Sequence, residues 1–94
     1  MAGSEPQILH LPPQLDFEGA RWLHSTLSEA MGQPVRINAD NVSFVGGLAA
    51  QILLSAQVEW KSMNIGFAVK NPSDGFRAGI ERLGLAEVIV LEGN

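Results

Sequence analysis

Apolar residues change their spacing several times along the chain, and each change marks an element. Gln7 to Leu11 is a short apolar run closed by Pro12-Pro13. Two consecutive prolines cannot sit in a central strand, so the run predicts a short extended segment ending in a turn. Gln14 to Asp16 is expected to run back beside it. From Phe17 the apolar positions recur at Ala20, Leu23, Leu27, Ala30 and Met31, the three-and-four spacing of one helical face, and Gly32 with Pro34 supplies a stop. Val35 to Ala39 then alternates Val35, Ile37 and Ala39 with Arg36 and Asn38, the period of two of a strand with one buried side.

After a loop from Asp40 to Val45, a second helix is predicted to begin at Gly46-Gly47, with an apolar arc of Leu48, Ile52, Leu53, Ala56, Trp60 and Met63. Ile65 to Val69 reads as another strand. Ser73 is placed as an N-cap for a third helix whose stripe is Phe76, Ile80 and Leu83 and whose stop is Gly84. Glu87 to Leu91 is a last strand or a docking tail. The order β–(β)–α–β–α–β–α–β predicts a single α/β domain over residues 1–94, with helices mainly on one face of its sheet and a flexible segment over residues 1–6. Phe44, Leu48, Ile52, Leu53 and Phe76 are the expected core of its second half.

Composition agrees with this and removes several functions. At 94 residues and 46% apolar the chain builds one core and has no room for a second domain of ordinary size. Six Lys and Arg against ten Asp and Glu leave a net charge of −4, the wrong sign for gripping nucleic-acid phosphates or an anionic membrane surface. With no cysteine there are no disulfides, thiolate metal sites or cysteine nucleophiles. The amino terminus lacks a basic region followed by an apolar one, and the most apolar stretch, Val42 to Leu54, is interrupted by Ser43, two glycines and Gln51. A cytoplasmic protein is the expectation.

Catalysis requires convergent groups, and the sequence offers none. His10 and His24 are the only histidines, and neither has a second ligand three or four residues away. Ser25 beside His24 is not a dyad, because adjacent helical residues point about 100° apart. Asp16 and Glu18 sit where negative charge favours a helix start. Gly46-Gly47 could present N–H groups to an anion, but no GxxxxGK[ST] or GxGxxG accompanies the pair, and a tight turn accounts for it. No enzyme activity, cofactor or metal is expected.

Three segments carry a family resemblance over most of the chain: Ile8-Leu9-His10-Leu11-Pro12-Pro13-Gln14-Leu15-Asp16-Phe17, Asn41-Val42-Ser43-Phe44-Val45-Gly46-Gly47-Leu48-Ala49, and Phe76…Ile80…Leu83-Gly84-Leu85. Together they resemble a STAS domain. Such domains are typified by anti-sigma factor antagonists, the cytoplasmic subunit of the bacterial lipid-asymmetry ABC transporter, and stand-alone proteins of alphaproteobacterial chemotaxis systems. The resemblance implies a mixed four- to five-stranded sheet with three to four amphipathic helices, and protein binding centred on the loop before the second helix. In phosphorylatable members that loop carries Asp and then Ser or Thr before the helix. Aligning Phe44-Val45 with the motif puts Gly46 at the Asp position and Gly47 at the acceptor position. Glycine has no oxygen to phosphorylate. Ser43 lies upstream of the acceptor position and Ser55 two turns into the helix.

The resemblance thus implies a bacterial regulatory module that docks, without a phosphoryl acceptor, on a histidine kinase or response regulator of a chemotaxis-like pathway or on a transport ATPase. Its alternatives are a phosphorylated anti-sigma antagonist-type switch, an anion binder, or the lipid-transport subunit itself. The expected partner contact is Ser43, Val45, Gly46, Gly47, Leu48, Gln51, Leu54, Ser55 and Val58. On the second helix Leu54 and Val58 fall opposite the core arc, beside Ala50, Gln57 and Lys61; they form either a partner face or packing under a neighbouring element. Trp22, about 130° from the stripe of the first helix, is either an interface anchor or a lid over the Pro12-Pro13 turn.

Overall fold

Alternation of buried and exposed residues organises the sheet in the computed structural model, which describes residues 5–89 and 91–92. β1 (Gln7–His10), β3 (Val35–Asn38), β5 (Phe67–Lys70) and β6 (Leu91–Glu92) form a four-stranded sheet in the order β1-β3-β5-β6. Leu9 lies opposite Ile37, which lies opposite Val69, and all three are buried. One residue along, Ile8 and its neighbour Arg36 face away from that core and are exposed. The sheet therefore buries one face, and α1 (Phe17–Glu29) and α2 (Gly47–Ser62) lie together, α2 also packing against β5.

Among the described residues two further strands, β2 (Gln14–Leu15) and β4 (Phe44–Val45), pair with each other and not with the larger sheet. Gln14 to Asp16 thus does not run back beside the first strand as expected. The backbone N–H groups of Ser43 and Phe44 donate to the Pro13 carbonyl, and that of Gly46 donates to Leu15, so the segment is claimed by the far side of the chain. All described pairings are parallel, where the resemblance implied a mixed sheet; the α/β class and the STAS-like arrangement stand.

Local chemistry sets the helix ends. Asp16 caps α1, its Oδ1 accepting from the Gly19 N–H at 3.0 Å, and Gly32 at φ 90° turns the chain away beyond it. Ser73 caps α3 (Asp74–Arg82) by accepting from the Phe76 N–H, and Gly84 at φ 77° ends it as expected. Asn64, at φ 63°, takes the left-handed position after α2 that glycine often fills. Trp60 is buried near the end of α2, its Nε1 donating to the Gln33 carbonyl at 2.7 Å and its ring 5.8 Å from that of Phe67.

Several expected core positions move outward. Phe17 and Met31 bracket the first apolar stripe but are exposed, as are Phe44 and Leu48; Ile52 is half-buried. Leu53 and Phe76 are fully buried, as expected. Ala50, assigned to the outer side of α2, is also fully buried, so that helix is turned roughly 50° from its expected phase at 100° per residue. Alanines at 49, 50 and 56 let α2 sit close to its neighbours, and the larger Leu48 is left at the rim. Glu87 and Val88 belong to a turn, and of the expected last strand the described part is β6 (Leu91–Glu92). Residues 1–4, most of the segment expected to be flexible, lie outside the described residues, as does Val90.

Candidate functional site

The start of α2 is held in place from two sides. On one side β4 is hydrogen-bonded to β2, with the Gly46 N–H donating to Leu15 at 2.8 Å. On the other, α3 presses its glycines against the same segment. A Cβ at Gly75 would lie 2.6 Å from the Val42 carbonyl oxygen and 2.7 Å from that of Ser43, and one at Gly79 would lie 2.8 Å from Val45 Cβ. Only glycine permits that approach. Ser73 ties the two together a second time, its hydroxyl donating to the Val42 carbonyl. Val45 is consequently buried between α3 and the strand pair, and its expected role as a partner contact is withdrawn: it supports the loop instead of facing outward.

The glycines of the loop itself are different. Gly46, the N-cap residue of α2, has ordinary extended dihedrals and makes no side-chain cap; a Cβ there would lie 3.1 Å from the Leu15 oxygen and 3.5 Å from the Phe44 ring. Gly47, the first residue of α2, is exposed, and a Cβ there would meet nothing within 4 Å. Packing therefore does not require glycine at 47. The position is open for a side chain that the sequence does not supply.

Around this opening lies a mixed surface. The Phe44 ring is 41% exposed and carries the Arg82 guanidinium, whose Cζ is 5.7 Å from the ring centroid and whose Nη2 donates to the Val45 carbonyl at 2.9 Å. Ser43, Leu48, Gln51, Ser55 and Val58 are exposed; Val58 is 61% accessible and Leu48 51%. Leu54 separates from Val58: it is half-buried and packs against the core. Gln57, next to it, donates its side-chain N–H to the Val88 carbonyl at 2.8 Å and so ties the C-terminal turn to α2. Trp22 is 40% exposed and shares a shallow hollow with Pro12 and Glu18.

Sequence reasoning missed the Phe44–Arg82 pair. The apolar pattern predicts Phe44 in the core, and Arg82 lies 37 residues from the carbonyl it holds. The available signal was Gly75 and Gly79, four apart on one side of a short helix, a spacing that marks close approach to another backbone. As chemistry, the site offers apolar area, one guanidinium and side-chain amide and hydroxyl groups. Among the described residues no three His, Asp or Glu gather to hold a metal. No helix among them is long and apolar enough to cross a membrane.

No curated protein matches this sequence. The family model described as "Mlab, STAS domain" matches residues 2–92. A match over nearly the whole length, on an α/β fold with a short strand leading directly into its second helix, places the chain in the STAS domain family.

Proposed function

We propose that this STAS domain is a non-enzymatic docking module of bacterial signalling that acts in its unmodified state. The partner is a histidine kinase or related component of a chemotaxis-like pathway, and the setting is the cytoplasm. One observation carries the reading: Gly47, which the family resemblance sets at the acceptor position, stands at the open start of α2, and nothing around it requires glycine. A switch that worked by phosphorylation would keep an oxygen there. The contact consists of Ser43, Gly46, Gly47, Leu48, Gln51, Ser55 and Val58, with Phe44 and Arg82 added beside the loop and Leu54 reduced to its border.

A surface of this kind binds through a few desolvated anchors, and Phe44, Leu48 and Val58 are its exposed apolar ones. The test is titration calorimetry of the unphosphorylated protein against the kinase encoded in the same system, for the wild type and for Val58→Lys with Gln51→Glu. The expected result is binding without prior phosphorylation, weakened at least about tenfold by the double change. Equal affinity for both proteins would move the contact elsewhere. A second reading, docking on the ATPase of a lipid-transport ABC complex, follows from the resemblance to that transporter's cytoplasmic subunit. Repeating the titration with that ATPase distinguishes the two.

A further inference from the structure

α1 and α2 run side by side in the same direction, since Ala20, Arg21 and His24 line one hollow with Leu48 and Ile52, and Met31 lines the next with Ser55 and Glu59. Between them lies a groove of about 310 Å³ over its C-terminal half, joined through His24 and Ile52 to a second hollow of about 490 Å³ at its N-terminal end. Leu27, Ile52 and Ala56 form the floor. The exposed side chains of Leu48 and Met31 stand at the two ends.

We propose that this groove seats an amphipathic helix of the partner protein, about three turns long and running antiparallel to α1 and α2. The proposal rests on the docking reading above, because Leu48, Gln51 and Ser55 border both surfaces. An extended peptide does not suit the groove: both walls are helices whose backbone groups are already paired, so there is no free strand edge for it to join. A third helix laid in the furrow between two others buries its apolar stripe in the way helices ordinarily pack. Charge sets its direction. Arg21 lies at the end where α1 and α2 begin and Glu59 towards the end where they finish, so the field along the groove runs from positive to negative. A helix lying antiparallel puts its own negative C-terminal end at Arg21 and its positive N-terminal end at Glu59. The occupant does not come from a second copy. Among the described residues no helix offers an exposed apolar stripe to enter the groove: the outward side of α3 offers Arg77, Ala78 and Glu81, the exposed Phe17 and Trp22 of α1 point about 140° apart, and on α2 Val58 is the large apolar residue exposed outside the groove.

The probe is a hydrocarbon-stapled, fluorescein-labelled peptide of about 14 residues with leucines along one face, a lysine in its first turn and a glutamate in its last. Fluorescence anisotropy is expected to show saturable binding to the wild type, at least about tenfold weaker with Ser55→Arg and with Met31→Glu, both changes at exposed positions and each checked for folding by circular dichroism. Exchanging the lysine and glutamate should weaken binding, and Arg21→Glu with Glu59→Lys should reverse that preference. Arg77→Ala, on the outward side of α3 and away from the groove, should leave peptide affinity unchanged. Absence of saturable binding, binding indifferent to Ser55→Arg, or amide shifts confined to the open sheet face around Ile8 and Arg36 would overturn the proposal. Loss of the peptide site with intact, Val58-sensitive binding of the kinase would remove the helix and leave the docking module standing. Peptide binding with a kinase indifferent to Val58 and Gln51 would do the reverse.

Discussion

Gly47 and Gly75 both occupy the first turn of a helix, and they have opposite meanings. At Gly75 a methyl group would run into two carbonyl oxygens of the 42–43 segment, whereas at Gly47 it would point into open space. The first glycine is architecture: with Gly79 it lets α3 lie directly on β4 and so fixes where the start of α2 stands. The second is a vacancy of chemistry on a well-supported scaffold. Residue type alone does not separate structural from functional glycine; the space around the missing Cβ does.

The joint is the place to break the comparison. Phe76 is fully buried on α3, and Phe76→Ala should cost about 3–5 kcal/mol, read as a shift in the midpoint of a urea melt. A variant that melts like the parent would mean that α3 does not hold the loop. Gly75→Ala and Gly79→Ala should each cost about 1–3 kcal/mol by overpacking, despite alanine's better helix propensity. In contrast, Gly47→Ala should stabilise by about 0.4–1 kcal/mol, because the folded chain accepts the methyl and the unfolded chain loses freedom. Opposite signs for one substitution at two helix starts would sharpen the comparison, and equal signs would end it. Val58→Lys, on the outer face of α2, should fall within about 0.5 kcal/mol of the parent while affecting the partner.

α3 was legible in the sequence and α2 much less so, for a physical reason. In α3 a capping serine, two buried apolar residues one turn apart and a terminal glycine all point to the same phase. In α2 apolar residues occur on nearly every side, so large side chains suggested one phase while the alanines that permit close packing dictated another. Leu48 came out and Ala50 went in. Two-residue strands carry no period, so the sequence pattern shows β4 as loop and does not reveal that β2 pairs with it. Of the expected contact residues, Ser43, Gly47, Gln51, Ser55 and Val58 are exposed, as a surface contact requires. Burial of Val45 and the stacking of Arg82 on Phe44 could not be read from sequence, because both depend on α3 crossing back over a segment some thirty residues earlier.

The central claim is that this domain docks without a phosphoryl switch, and intact-protein mass spectrometry tests it most directly. The wild type and Gly47→Ser are incubated side by side with ATP and a serine kinase of the anti-sigma type. The wild type should keep its mass while Gly47→Ser, with a hydroxyl restored at the open start of α2, gains one phosphate. Stoichiometric phosphate on the wild type, mapped to Ser43 or Ser55, would contradict the account and make this chain a switch.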